Sequence, residues 1–310
     1  MCRIFLQQFV IMNIRLISNR IMKKLFVALI LTVLFMQLAS ARVMTHRGKT
    51  GLIGPVRTVI EKSSTWENEA IVDSWTITYD SKGNETKSVR ALYKVGSATN
   101  IKEQKSIYTY DADGKKTEMA SYWEDGSLAS KTIYAYDTTN NRTVVADYNT
   151  DGLPMSRRVY TSDTAGRVIE VIFYNSDNSI ISKQVNTYDK KGNMIEETYY
   201  KPAGALNSKA INKYDEKGNI TKRLNYNADD SLKTKVVYSY NDLGNMTAMA
   251  IYDDKDVLQS KETYSYEFDT VENWIKKTTM KWVMKEGKLS PEPSIVTKRT
   301  ITYYSDQPPH

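Results

Sequence analysis

The string Tyr-Asp-Ala-Asp-Gly-Lys at Tyr110 returns at a fixed step of 26 residues, as YDTTNN at Tyr136, SDTAGR at Ser162, YDKKGN at Tyr188, YDEKGN at Tyr214 and YNDLGN at Tyr240. A period held this strictly constrains the fold before any local reading does, because each unit must be one supersecondary element stacked on its copies. Tyr266 continues the phase into a degenerate copy, and YDSKGN at Tyr79 precedes Tyr110 by 31 residues. Two more tyrosine columns keep the same step. One holds Tyr122, Tyr148, Tyr174, Tyr200, Tyr226 and Tyr252; the other holds Tyr108, Tyr134, Tyr160, Tyr238 and Tyr264, with Asn186 and Asn212 in the slots between. The excess of 22 Tyr over 6 Phe is therefore a property of the repeat, not of one binding patch.

Each unit carries two turn signals. In Tyr-Asp-x-x-Gly-Asn the Asp can accept a backbone N–H, and the glycine (Gly83, Gly114, Gly166, Gly192, Gly218 or Gly244) supplies the positive φ that closes a hairpin loop. About twelve residues on comes EDGS at Glu124, NTDG at Asn149, KPAG at Lys201 or NADD at Asn227. The segments between, such as TKVVYSY ending at Tyr240, are rich in Thr, Val and Tyr and read as strands of about nine residues. No stretch after Ala41 keeps a helical apolar period for three turns. The expected fold is all-β: antiparallel hairpin repeats forming one long coiled or partly closed sheet. Residues 42–78 and 274–310 lie off the pattern and are expected to cap the two ends of a repeat region spanning 79–273.

Alternation assigns the faces. Leu206, Ser208, Ala210, Asn212 and Tyr214 share one side, while Lys209 and Ile211 point to the other. The basic column Lys131, Arg157, Lys183, Lys209, Lys235 and Lys261 also recurs at 26. A four-residue KPAG loop predicts Glu196 opposite Lys209, Glu118 opposite Lys131 and Glu170 opposite Lys183. With those partners the ladder reads as a solvated face better than as an anion track. Asp111 and Asp113 have the opening spacing of a calcium loop, but no bidentate Glu follows, so turn capping explains them better. Asn84, Asn141, Asn219 and Asn245 head glycosylation triplets that follow simply from a turn Asn preceding a strand Thr. Lys209 and Ser208 at mid-strand put polar groups on both faces, which argues against a barrel in the outer membrane.

Lys23 and Lys24, the apolar run from Leu25 to about Leu38 and the small residues Ala39, Ser40 and Ala41 have the order of a cleavable export signal, with cleavage expected after Ala41. Met22 is a second candidate start, so residues 1–21 are an optional extension. The net charge of +7 then changes meaning: residues 1–41 hold five basic and no acidic residues, leaving 38 basic against 36 acidic. Cleavage also removes Cys2, the one cysteine, excluding disulfides and thiol chemistry from the exported chain. The expected location is secreted, periplasmic or outer surface, with no stable membrane insertion.

The Tyr-Asp-x-x-Gly-Asn turns over about 79–274, with GPVRTVI at Gly54 before them and KRTITYY at Lys298 after, resemble the YD-repeat family of Rhs-type and wall-associated bacterial surface proteins. That resemblance implies a continuous coiling sheet, in large members a hollow shell around a toxin, and roles in carbohydrate or surface binding. The unit of 26 is longer than the family's usual one, and no core motif or toxin domain follows the repeats, so an open or partly closed spiral is expected here. The MORN-like β-hairpin repeats are a second resemblance, sharing Tyr and Gly at a period in the twenties.

Two histidines, at 46 and 310, leave little for imidazole catalysis, and most carboxylates sit in repeat columns with a structural role. No catalytic residue, metal site or cofactor is expected. The functional expectation is a non-enzymatic secreted protein binding a glycan or a surface protein through Tyr122, Tyr148, Tyr174, Tyr200, Tyr226 and Tyr252, with Trp123 as the best single exposed contact. A structural or immunity-like partner of another secreted protein is the alternative, and a carboxylate glycosidase a third reading.

Overall fold

The computed structural model describes residues 51–67, 69–93, 100–285 and 288–304. The expected export signal, with its cleavage point, lies outside them. The described residues form eighteen strands and no helix. In chain order they are β1 (Val56–Thr65), β2 (Ile71–Tyr79), β3 (Glu85–Tyr93), β4 (Asn100–Tyr110), β5 (Lys116–Trp123) and β6 (Leu128–Asp137). Then come β7 (Arg142–Tyr148), β8 (Pro154–Ser162), β9 (Val168–Asn175), β10 (Ile180–Tyr188), β11 (Met194–Tyr200) and β12 (Leu206–Tyr214). The last six are β13 (Ile220–Tyr226), β14 (Leu232–Tyr240), β15 (Met246–Tyr252), β16 (Leu258–Phe268), β17 (Trp274–Lys285) and β18 (Lys288–Tyr303). Every strand pairs antiparallel with the next, so the Asp turns lie along one rim and the second turns along the other.

The sheet closes. β18 pairs antiparallel with β1, with Val59 opposite Ile301, Glu61 opposite Arg299 and Ser63 opposite Thr297. This corrects the expected partly closed spiral: the off-repeat segments that were to cap opposite ends of the sheet pair with each other instead. The physical reason lies in their side chains. Val56, Val59, Ile77 and Tyr79 form the most covered apolar cluster of the described residues, with Leu52, Ile301 and Tyr303 packed against it. Beside it the Arg299 guanidinium donates to Glu61 at 2.7 Å and lies 3.4 Å from the Trp274 ring centre. The segment before β1 is tied down by Asn273, whose side chain accepts from the Ile53 N–H at 2.8 Å and donates to its carbonyl at 2.9 Å.

Each Asp turn but the one at Asp137, whose register runs through unbroken, is a hairpin with a bulge. In the turn at Asp189 the Asp189 N–H bonds the Asn193 carbonyl at 2.9 Å, Gly192 N–H returns to the Asp189 carbonyl at 3.1 Å, and the carboxylate accepts from the Asn193 N–H at 2.8 Å. This is a type I turn followed by a left-handed residue. Gly83, Gly114, Gly166, Gly192, Gly218 and Gly244 all have φ between 77° and 90°, as the turn reading requires. Where the sequence lacks the glycine another residue takes the conformation: Asn141 at 51°, Asn178 at 64°, Asp230 at 65°, Asp256 at 63° and Glu272 at 66°.

The second turns displace the expected register by two residues. Thr198, not Glu196, lies opposite Lys209, and Ala120 and Ile172 lie opposite Lys131 and Lys183. The loop closes with the Lys201 N–H on the Ala205 carbonyl at 2.8 Å, and a bulge follows between Tyr199 and Tyr200. A shift of two keeps every side chain on its face, so the assignment of faces survives while the partners change. Lys131 and Lys183 still reach Glu118 and Glu170 diagonally, at 2.7 and 2.6 Å, whereas Lys209 turns to Asp230 at 2.5 Å.

Chirality decides which face is inside. Ile211 pairs with Leu224 and Leu224 with Lys235, the repeat-mate of Lys209, so pairing descends about one residue per strand away from the Asp rim. A closed sheet of L-residues coils right-handedly. With the Asp215 N–H directed at β13, that hand places Ser208, Ala210, Asn212 and Tyr214 in the lumen and Lys209 and Ile211 outside; Leu206, expected with the first group, lies beyond the bulge opposite the outer Tyr200. Burial leans the same way: Ser121, Thr132, Val145, Val171, Asn186, Ala210, Asn212 and Val236 on the lumen side are buried, against Ala120, Thr198 and Ala250 on the outer side. Eighteen strands at this stagger tilt by about 40° and lie about 17 Å from the axis. The close backbone contacts of each strand are those with its ladder neighbours, so no described strand crosses the lumen.

The turns give a paired test. No atom lies within 4 Å of a Cβ built on Gly192, so Gly192→Val should lose stability through backbone strain alone, by about 1 kcal/mol or more. Glu272→Gly should gain up to about 1 kcal/mol for the same reason in reverse. Urea unfolding of the two variants checks both signs.

Candidate binding surfaces

The lumen wall begins, at the Asp rim, with the tyrosines that open each turn. The Tyr110, Tyr136, Tyr188, Tyr214, Tyr240 and Tyr266 hydroxyls donate to the Glu85, Lys116, Val168, Met194, Ile220 and Met246 carbonyls, at 2.6 to 3.0 Å. Each acceptor lies at the start of the preceding strand, beyond or at the end of its ladder, so the tyrosine bonds a carbonyl that the bulged turn leaves short of partners. Burial raises the phenols of Tyr110, Tyr136, Tyr188, Tyr214, Tyr240 and Tyr266 above their ordinary range, and pushes Tyr108 up to about 12. These rings are struts rather than contacts.

The same carbonyls explain the two asparagines that interrupt the neighbouring column. Asn186 and Asn212 donate to Val168 and Met194 at 2.9 and 3.0 Å, sharing the acceptors of Tyr188 and Tyr214. Around them Gln184 donates to Asn186 at 2.7 Å, and Arg223 bonds Asn212 and Asn225 while forming an ion pair with Glu197. A second lumen network joins Asp147 to Thr132, Ser156 and Arg158. Both networks pair their members mainly with one another, and in the second the buried Arg158 Nε–H has no partner among the described residues.

The six tyrosines singled out from sequence lie on the outer face, one on every second strand, in the row nearest the far rim. The structure pairs each with the basic column across the ladder: Lys131 faces Tyr148, Arg157 faces Tyr174, Lys209 faces Tyr226 and Lys235 faces Tyr252. Lys105 lies 5.3 Å from the Tyr122 ring centre, Arg157 4.2 Å from Tyr174, Lys209 5.1 Å from Tyr226 and Lys235 4.5 Å from Tyr252. Lys261 caps Trp282 in the same way at 3.8 Å. This pairing was missed from sequence, although a Lys or Arg stands 17 residues before each of the six tyrosines. Trp123 does not belong to the row. It shares the inward parity of Ser121 at the far rim, is 41% exposed, and has Lys102 5.1 Å from its ring centre.

Two tyrosines keep a bare ring. Lys131 and Lys183 go to glutamates, and among the described residues neither Tyr148 nor Tyr200 carries a cation over its face. At Tyr200 the following turn adds walls. There a cleft of about 290 Å³ is lined by Tyr200, Ile172, Ile180, Val185, Lys183 and the Lys201–Pro202 turn.

Above the Lys–Tyr row, Ile133, Ala146, Val159, Ile172, Val185, Ile211, Leu224 and Val237 make an apolar belt mostly one residue deep, widened to two by Ala135 and Val144. Glu118, Glu170, Glu196, Lys213 and Lys222 bound it on the side of the Asp rim. One such row covers about 5 Å along the axis.

No protein-family model matches the chain, and no curated protein resembles it in sequence. Among solved structures, a porin-like protein from Bacteroides uniformis is 11% identical, covers 80% of this chain and 97% of its own, and has a TM-score of 0.48. A porin-like protein from Bacteroides vulgatus is 13% identical over 80% of this chain and 98% of its own, with a TM-score of 0.23. A TcdB2-TccC3 structure is 11% identical over 78% of this chain and 16% of its own, at 0.17.

The strut role has a sharp test. Asn212 still serves the Met194 carbonyl when the Tyr214 hydroxyl is removed, whereas no other side chain donates to Ile220. Tyr240→Phe should therefore cost about 1 kcal/mol and Tyr214→Phe less, measured by urea denaturation.

Proposed function

We propose that the chain is an exported, non-catalytic barrel that binds carbohydrate through its outer face. The observation that carries this reading is the tyrosine row, in which Tyr148 and Tyr200 keep open faces, on a surface where Lys131, Lys183, Lys209 and Lys235 are matched by Glu118, Glu170, Asp230 and Asp256. Such a surface offers stacking platforms with hydroxyl handles and little net charge to draw nucleic acid. The carboxylates that a glycosidase would need are engaged elsewhere: Asp80, Asp163, Asp189, Asp215 and Asp269 cap turns, and Asp147 and Glu197 hold arginines. The YD-repeat resemblance points to the same class of function.

Porin-like membrane insertion is the reading that a closed eighteen-strand barrel invites, and the outer face argues against it. Its apolar belt of about 5 Å is far below the ~25 Å band a lipid-facing barrel presents. We place the barrel in the periplasm or at the outer surface.

A glycan array probed with the chain from Arg42 onward tests the proposal. Binding that weakens in the joint Tyr148→Ala, Tyr200→Ala variant is the expected result. A blank array with a single protein captured stoichiometrically from the secreted fraction would transfer the reading to a structural or immunity-like partnership.

A further inference from the structure

We infer that the cleft at Tyr200 is the saccharide subsite of the barrel and that it takes a pyranose ring bearing a carboxylate, as in a uronic acid. The inference rests on the carbohydrate reading above and goes further by naming the position and the charge of the ligand.

The argument starts from what distinguishes this unit from its copies. At Tyr174, Tyr226 and Tyr252 the facing Arg or Lys lies over the ring and occupies the place a ligand would stack. At Tyr200 the facing lysine is drawn to Glu170 at 2.6 Å, so the ring is left bare. Tyr148 shares that release, but its turn is Asn149-Thr150 where this one is Lys201-Pro202. Pro202 supplies a rigid apolar edge beside the ring, and Ile172 and Val185 form a floor with Ile180, which is 43% exposed. A tyrosine face over an aliphatic floor matches the C–H face of a sugar ring, whose hydroxyls would stay at the solvent edge. The volume sits at the small end of ligand pockets, suited to one ring rather than a protein segment.

The charge preference comes from Lys201. Its side chain makes no ion pair or hydrogen bond among the described residues, while Lys183 at the opposite side is already neutralised by Glu170. One unpaired ammonium at the lip of an otherwise apolar cleft favours a single carboxylate on the ligand. A phosphate or sulfate would meet one cation where it is better served by several.

Calorimetric titration with galacturonic acid oligomers, and with neutral galactose oligomers as the matched probe, tests the assignment. The intact chain should bind the acidic oligomer more tightly, and rising salt should narrow the difference. Tyr200→Ala should weaken both probes at least tenfold. Lys201→Gln should remove the preference for the acidic one while leaving neutral binding in place. Leu243→Ala, an exposed side chain at the Asp rim outside the tyrosine row, should bind like the intact chain. Equal binding by Tyr200→Ala and the intact chain would overturn the site, as would no preference for the acidic oligomer. Array binding to other glycans that ignores both Tyr200 and Lys201 would sink this cleft and leave the carbohydrate reading standing. Should Tyr200→Ala fail to fold by circular dichroism, Lys201→Gln alone decides the charge preference and Tyr200→Leu tests the ring.

Discussion

The backbone hydrogen bonds between β1 and β18 are the constraint on which the rest depends. An open antiparallel sheet must leave two rows of N–H and C=O groups without partners, and exposed edges recruit other chains. Closing the circuit gives every strand two neighbours and removes that hazard without disulfides. It also fixes the curvature that separates a crowded lumen face from an open outer one. The seam carries the most covered apolar cluster among the described residues, around Val59, Ile77 and Tyr79, and a half-buried Arg299–Glu61 pair beside Trp274. Elsewhere the wall is thin, one strand deep, and must be held by ladders and local struts.

Those struts show why the repeat looks as it does. A hairpin closed through a left-handed residue tightens the turn but leaves a carbonyl near the rim poorly served. The tyrosine of the next unit reaches back across one strand to bond it, so each unit completes its predecessor. Tyr and Asp are thus adjacent for separate reasons: Asp caps its own turn, and Tyr secures the one before. Stability built this way is distributed, which fits a chain whose described interior contains few fully buried large side chains, Tyr79, Val56 and Val59 being the foremost.

Much of this was legible in the sequence. The phase of Tyr110 through Tyr240 gives the strands, the glycines give the turns, and alternation around Lys209 gives the faces. Closure was not legible, because residues 51–78 and 274–304 carry no repeat, and nothing in Val59 or Ile301 read alone names the other as its partner. The register was lost by two residues because the bulge at Tyr199–Tyr200 has no signature in sequence. For the outer row, the tyrosines were visible but the capping of most of them was not. Whether a lysine lies over a ring or turns to a glutamate depends on diagonal distances that only the stagger sets. That difference is what singles out Tyr200 from its copies.

The central claim is the seam, and a cross-link tests it most directly. Ser63 and Thr297 are 234 residues apart in sequence yet lie opposite one another, with side-chain oxygens 2.9 Å apart. With Cys2, the one native cysteine, replaced by serine, cysteines placed at positions 63 and 297 should form an intramolecular disulfide in the folded protein under mild oxidation, seen by mass spectrometry and by mobility on a non-reducing gel. A cysteine at 63 paired with one at 302, off the register, should not. Two free thiols at 63 and 297 in a folded, oxidised sample would show that the sheet is open and contradict the account.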